Sequence, residues 1–138
     1  MVEGGFMTNE KSCGTIIIEG NKVLMITSKK DIFGFPKGHI ENGETEIETA
    51  IRETKEEINL DVIIDENKRF STSYMVGENI YKEVIYFVAY IDKSKEMNLI
   101  PQKEEVNEIM WMDIDEVEEK LSFDDLKILW KEVLEVIR

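Results

Sequence analysis

The chain has 138 residues and a mass of 16.1 kDa, enough for one domain with its own core and too little for two. Apolar residues make up 42% and charged residues 34%, which excludes a disordered chain; the longest apolar run, Val84 to Ile91, has eight residues, far short of a membrane-spanning helix. The net charge of −13, from 30 acids against 17 bases, argues against strong binding to nucleic acid or to an anionic membrane, so a phosphate-bearing ligand would need cations to mediate its binding.

The opening MVEGGFMTNE has no basic n-region and no apolar h-region, so no signal peptide is expected. Residues 1–10 are expected to be flexible, with a single domain over 11–138. Cys13 is the only cysteine, which excludes an internal disulfide and a cysteine-based zinc cluster and suits a reducing, cytoplasmic setting. Cys13 to Ile18 and Val23 to Thr27 read as a strand pair, joined at Glu19-Gly20-Asn21 by hairpin-turn chemistry. A loop over residues 30–43 carries Gly34, Pro36, Gly38 and Asn42-Gly43.

A helix follows. Thr45 with Glu48 has the spacing of a capping box, and Asn59 stands where a left-handed C-cap residue is expected. Ile47, Ala50, Ile51, Thr54 and Ile58 recur at helical spacing and are expected to be buried. Strands are expected at Val62–Ile64, Arg69–Val76, Lys82–Ile91 and Glu108–Met112, with a polar connection over 92–104. A short helix is expected over Asp115–Leu121. The final amphipathic helix carries Leu126, Leu129, Trp130, Val133, Leu134 and Ile137 on one face. The hairpins and long helices together predict an α/β (α+β) fold, a mixed β-sheet sandwiched between helices.

The central helix has a second chemical face. With Glu53 at zero and about 100° per residue, Glu56 falls near about −60° and Glu57 near about +40°, while the apolar stripe centres near about +115°. Three carboxylates so placed repel one another, and a hard divalent cation with oxygen ligands would offset that repulsion. On the helix alone, a solvated acidic face explains the pattern as well.

The preceding loop changes the balance. Gly38, Glu44, Arg52, Glu53, Glu56, Glu57 and Leu60 match a pattern that resembles the Nudix box, G-x5-E-x7-R-E-U-x-E-E-x-G-U, where U is aliphatic or similar. Thr54 takes a U position, and Asn59 replaces the final Gly, which costs little because both tolerate a left-handed backbone. Composition alone would give the six Gly, Glu and Arg matches with a chance on the order of 10⁻⁴ over the chain. Beyond the box, Phe35-Pro36-Lys37-Gly38-His39 and the strand Lys82–Ala89 are similar to segments of asymmetric dinucleoside tetraphosphate hydrolases within that family.

The resemblance implies a Nudix fold and hydrolysis of a nucleoside diphosphate linked to another group, with Mg²⁺ or Mn²⁺ as cofactor. It implies Glu53, Glu56 and Glu57 as metal ligands, completed by the Gly38 carbonyl, with Arg52 bracing the glutamates and Glu44 in a structural role. Glu57 is favoured as ligand and catalytic base. Glu105 is the rival for base and a further metal ligand, its register against Glu104 left open. Lys37, His39 and Lys82 would contact phosphates, and Tyr86 would bond one or help to place the substrate, although its alternation in an apolar strand fits a core role equally. Phe33, Tyr74 and Tyr81 are open candidates for base stacking.

The leading expectation is Mg²⁺-dependent asymmetric cleavage of diadenosine tetraphosphate to ATP and AMP by a monomer or homodimer. Alternatives are a nucleoside triphosphate pyrophosphohydrolase acting on oxidised purine nucleotides, RNA decapping, which the acidic charge disfavours, a non-catalytic nucleotide-binding module, and a plain divalent-cation buffer.

Overall fold

The structure, a computed structural model, describes residues 7–29 and 31–138. Seven strands form one mixed sheet: β1 (Thr8–Glu19), β2 (Lys22–Thr27), β3 (Phe33–Gly34), β4 (Lys37–His39), β5 (Val62–Val76), β6 (Ile80–Ile91) and β7 (Glu108–Asp113). Helix α1 (Glu46–Ile58) packs on one face; α3 (Asp124–Ile137), preceded by a 3₁₀ turn (Ile114–Glu116) and the short α2 (Val117–Lys120), packs on the other. This is the sandwich expected from the sequence. No helix among the described residues is long and apolar enough to cross a membrane.

Strand β1 organises the molecule. It runs parallel to β6 over the pairs Thr8↔Ile80 to Ile17↔Ala89. Its other edge pairs with β4 at Ser12–Gly14 and with β2 only at Ile18↔Val23 and Glu19↔Lys22. The turn between them is the expected one, with Gly20 at φ +59°, a left-handed value that glycine adopts without a steric penalty. Beyond those two pairs β2 leaves β1 and pairs with β3 at Ile26 and Thr27, while β7 pairs with it from Lys22 to Thr27. The sheet therefore splits, and an opening forms between the diverging strands.

Residues 1–6 lie outside the described residues, and Thr8–Glu10 are part of β1, where their backbone pairs with Ile80–Lys82. One expectation is corrected. The two strands expected over 62–64 and 69–76 are one strand, β5, paired with β6 throughout and interrupted only by a register shift between Asp65 and Arg69. A bulge absorbs the extra polar residues there without ending the pairing.

The core lies on both sides of the sheet. Ile16, Val84, Tyr86 and Val88 meet Leu126, Leu129, Trp130 and Val133 of α3. On the other side Cys13, Ile85 and Phe87 meet Ala50, and Ile17, Leu24 and Ala89 meet Ile58 and Leu60. Alternate residues of β6 thus serve opposite faces, as the period of a strand requires.

Candidate active site

Helix α1 is held at both ends as its sequence predicts. The Thr45 side chain accepts from Glu48 N–H at 3.1 Å, and Glu48 accepts from Thr45 N–H at 2.8 Å. Asn59 closes the other end at φ 58°, ψ 39°. The helix is rotated relative to the expectation. Thr49, Ala50, Thr54, Glu57 and Ile58 are buried, whereas Ile51 is 39% exposed. The buried face centres near about +60° on the scale above, so it includes a glutamate. Thr49 and Glu57 shift the centre: the Thr49 hydroxyl donates to Glu44 at 2.8 Å and Glu57 accepts from Lys37 N–H at 3.2 Å, while Thr54, 2.7 Å from Thr15 Oγ1 of β1, stays on the expected side.

Arg52 is the hub of the exposed flank. Its Nε donates to Glu44 Oε2 at 2.6 Å and Nη2 to Glu44 Oε1 at 3.0 Å, a two-point grip. Nη1 donates to Glu53 at 2.8 Å and Glu56 at 2.9 Å, and Nη2 also reaches His39 O at 2.9 Å. Glu44 further accepts from Glu41 N–H and the Thr49 hydroxyl. The Arg52 hydrogen bonds come first among the causes that hold the Glu44 carboxyl down at about 2. Arg52 and Glu44 together fasten the loop to the helix.

Gly38 lies directly against Glu53. A Cβ at this position would stand 2.0 Å from the Glu53 carboxyl carbon, so no other residue fits without moving that carboxylate. Lys37 N–H donates to Glu57 Oε1 at 3.2 Å. Burial comes first in raising the Glu57 carboxyl to about 8; that bond opposes it, and the neighbouring charges of Glu53 and Glu105 add to it. Glu53 is also raised by burial, against the pull of Arg52.

Glu105 reaches this place through the connection 92–104, which folds back on the C-terminus of α1. Ile100 N–H donates to Ile58 O at 3.1 Å and Gln102 N–H to Glu57 O at 2.8 Å, and the Asn59 amide donates to Asn98 O at 2.9 Å. These bonds satisfy carbonyls that a helix end leaves free. They also put Glu105, not Glu104, on the wall of the opening facing Glu57.

That opening is a cavity of about 770 Å³ where the sheet splits. Lys37, Glu57 and Glu105 line it at the helix, and Tyr86 lines its floor. Phe33, Tyr74, Thr72, Phe123 and Asp125 complete it. Tyr86 is 1% exposed, edge-to-face with Phe35 at 5.5 Å between ring centroids. Burial, then the charges of Glu57, Tyr74 and Asp125, keep its hydroxyl well above the usual tyrosine range. It is at once a core residue and a cavity residue.

The site residues inferred from the sequence are thus not all brought together. Lys82 pairs with the cavity residue Tyr74 across the β5–β6 ladder but does not itself line the cavity, and it ion-pairs with Glu10 at 3.4 Å. His39 is exposed on β4 outside the cavity lining. Of the stacking candidates, Phe33 and Tyr74 line the cavity and Tyr81 does not. Phe123, Asp125 and Thr72 were not anticipated. An aromatic residue just ahead of the last helix was the one available signal, and Phe123 is 51% exposed at that point.

Among the described residues no three His, Cys, Asp or Glu side chains are gathered into a ready-made cage; Arg52 draws Glu53 and Glu56 to one flank while Glu57 sits on the buried side. The chemistry nonetheless fits a divalent cation. Burial raises both Glu53 and Glu57, the charge of Glu105 adds to each, and a hard cation with oxygen ligands relieves that repulsion.

Comparisons with known proteins bear on the family and the fold. A pig (Sus scrofa) protein named bis(5'-nucleosyl)-tetraphosphatase [asymmetrical] is 36% identical over 101 residues, 70% of this chain and 66% of its own length. The m7GpppN-mRNA hydrolase of Saccharomyces cerevisiae is 30% identical over 129 residues, 91% of this chain but 12% of its own length. The chain thus spans just under two-thirds of the pig relative. Among solved structures, a C. elegans Ap4A hydrolase in a binary complex superposes with a TM-score of 0.79 at 23% identity, covering 93% of this chain and 97% of that one. A NUDIX hydrolase from Nitrosomonas europaea gives 0.72 at 25% identity, covering 93% and 73%. The NUDIX domain description matches residues 8–130, and the chain belongs to that family.

Proposed function

We propose that this protein hydrolyses a phosphoanhydride bond in a nucleoside diphosphate linked to another group, with Mg²⁺ or Mn²⁺ as cofactor. Its preferred reaction is asymmetric cleavage of diadenosine tetraphosphate to ATP and AMP. The observation that carries this reading is the desolvated Glu57, flanked by Glu53 and Glu105, opening onto a cavity of about 770 Å³ with aromatic walls. The pig relative's name supports the substrate. We place the activity in the cytoplasm, in a single domain that works as a monomer or homodimer.

Glu53, Glu56, Glu57, Glu105 and the Gly38 carbonyl would hold the cation. When bound, such an ion neutralises phosphate charge and lowers the pKa of its water. Water attacks phosphorus, the P–O bond to the leaving phosphate breaks, and the water's proton passes to the Glu57 carboxylate, with Glu105 the rival acceptor. Lys37 stands at the cavity wall to meet phosphate oxygens; His39 and Lys82 serve the part of a long polyphosphate that extends beyond it. Tyr86 presents its hydroxyl at the floor to place the substrate. Arg52 and Glu44 act by position, keeping Glu53 and Glu56 where the loop needs them. Phe33 and Tyr74 offer rings to a base.

Two other activities differ in product. Decapping is favoured by the yeast match over 129 residues, but the net charge of −13 weighs against a long RNA. Pyrophosphohydrolysis of a nucleoside triphosphate would release pyrophosphate. The test is a Mg²⁺-supplemented panel of dinucleoside polyphosphates, canonical and oxidised triphosphates, nucleotide sugars and capped RNA, with products identified. ATP and AMP from diadenosine tetraphosphate, as the fastest reaction, are expected. No turnover across the panel overturns the proposal in favour of a nucleotide-binding module.

A further inference from the structure

The end of the cavity away from α1 carries polar groups that the hydrolytic chemistry leaves unused. Asp125, in the first turn of α3, lines this end together with Thr72 of β5 and the rings of Phe33, Tyr74 and Phe123. The Thr72 hydroxyl lies 3.5 Å from Asp125 Oδ2, a long contact that leaves most of the carboxylate's acceptor capacity open. Tyr86 lies between the two ends: the charges of Glu57 and Asp125 both act on its hydroxyl. Phe33 is tied to the segment before α3, since its N–H donates to Ser122 Oγ at 3.0 Å. The aromatic wall and the carboxylate are thereby fixed to each other.

A flat π-ring fits among such walls, and its edge then meets Asp125. An ionised carboxylate accepts hydrogen bonds and cannot donate them. It favours a base edge that bears an amino group and disfavours one that presents only ring or carbonyl acceptors there. We infer that Asp125 is a specificity residue that reads an exocyclic amino group of the substrate's nucleobase, so that the protein selects amino-bearing bases. This deepens the proposed hydrolase function and rests on it for the identity of the ligand, but its test does not depend on turnover.

The experiment measures binding of nucleoside monophosphates, which have no anhydride to cleave, by calorimetry in the presence of Mg²⁺. AMP is compared with purine riboside monophosphate, and GMP with IMP; each pair differs by one amino group. In at least one pair the amino-bearing member is expected to bind about 10-fold tighter or more, as for a hydrogen bond to a charged group. Asp125→Asn, whose amide can either donate or accept, is expected to shrink that ratio to about threefold or less. The neighbouring Asp124→Asn, outside the cavity lining, is expected to preserve it. Equal binding within both pairs, discrimination that survives Asp125→Asn, or no binding of any monophosphate overturns the inference. Diadenosine tetraphosphate hydrolysis assayed alongside separates the two claims. Turnover without base discrimination removes the role of Asp125 alone; discrimination without turnover on the whole panel supports Asp125 and removes the hydrolase.

Discussion

At the scale of single residues, Glu57 and Gly38 make the sharpest predictions. Glu57→Gln keeps the shape and the Lys37 N–H bond while removing the oxygen that takes the proton, so it is expected to lower kcat by about 10²-fold or more, the range for loss of a general base. Its circular dichroism and melting temperature at neutral pH should stay near those of the parent protein; a folded variant with near-normal kcat would refute the assignment. Gly38→Ala forces a methyl group into the Glu53 carboxylate and is expected to lose activity while urea denaturation shows little loss of stability, because the displaced group is the end of a flexible side chain. The box residues were legible because Gly38, Glu44, Arg52 and the three glutamates lie within one loop and one helix, where spacing translates into geometry. The burial of Glu57 was not legible. An apolar stripe drawn through Ile47, Ala50, Ile51, Thr54 and Ile58 centres about 55° from the observed buried face, because Thr49 and Glu57 are held by Glu44 and Lys37 of the preceding loop.

At the scale of elements, the first turn of α1 is an ionic joint. Glu46 accepts from Arg69 of β5 at 2.8 and 3.0 Å and from Lys11 of β1 at 2.8 Å, so one carboxylate links a helix to two strands. Those hydrogen bonds, with Arg69 first, hold its pKa down at about 2 against an ordinary value of 4.5. A depressed folded-state pKa stabilises the fold above the unfolded value, and that stabilisation disappears as pH falls through the folded one. Glu46→Gln should therefore melt below the parent protein at pH 7, and the gap should close between pH 4.5 and 2. An unchanged gap at the acid end would refute the joint. The caps of α1 and the Gly20 turn were readable because each is settled within a few residues. The polar start of β1 and the continuity of β5 were not, because a strand of that composition is specified by its partner and not by its own sequence.

At the scale of the whole molecule, catalysis should depend on a divalent cation throughout. EDTA is expected to stop hydrolysis and added Mg²⁺ or Mn²⁺ to restore it; a rate that persists in chelator would refute the metal mechanism. The cavity belongs to this scale as well. Its lining comes from β2, β3, β4, β5, β6, α1, α3 and the segments between them, which is why Phe123, Asp125 and Thr72 escaped a reading along the chain while the box did not. The same topology has a consequence during synthesis. The long parallel ladder of β1 joins residues 8–17 to residues 80–89, so during synthesis β1 has no partner on this edge until the chain about 72 residues further on has emerged. Through that interval the apolar run at Ile16–Ile18 waits uncovered, a stretch for which a nascent-chain chaperone has a use.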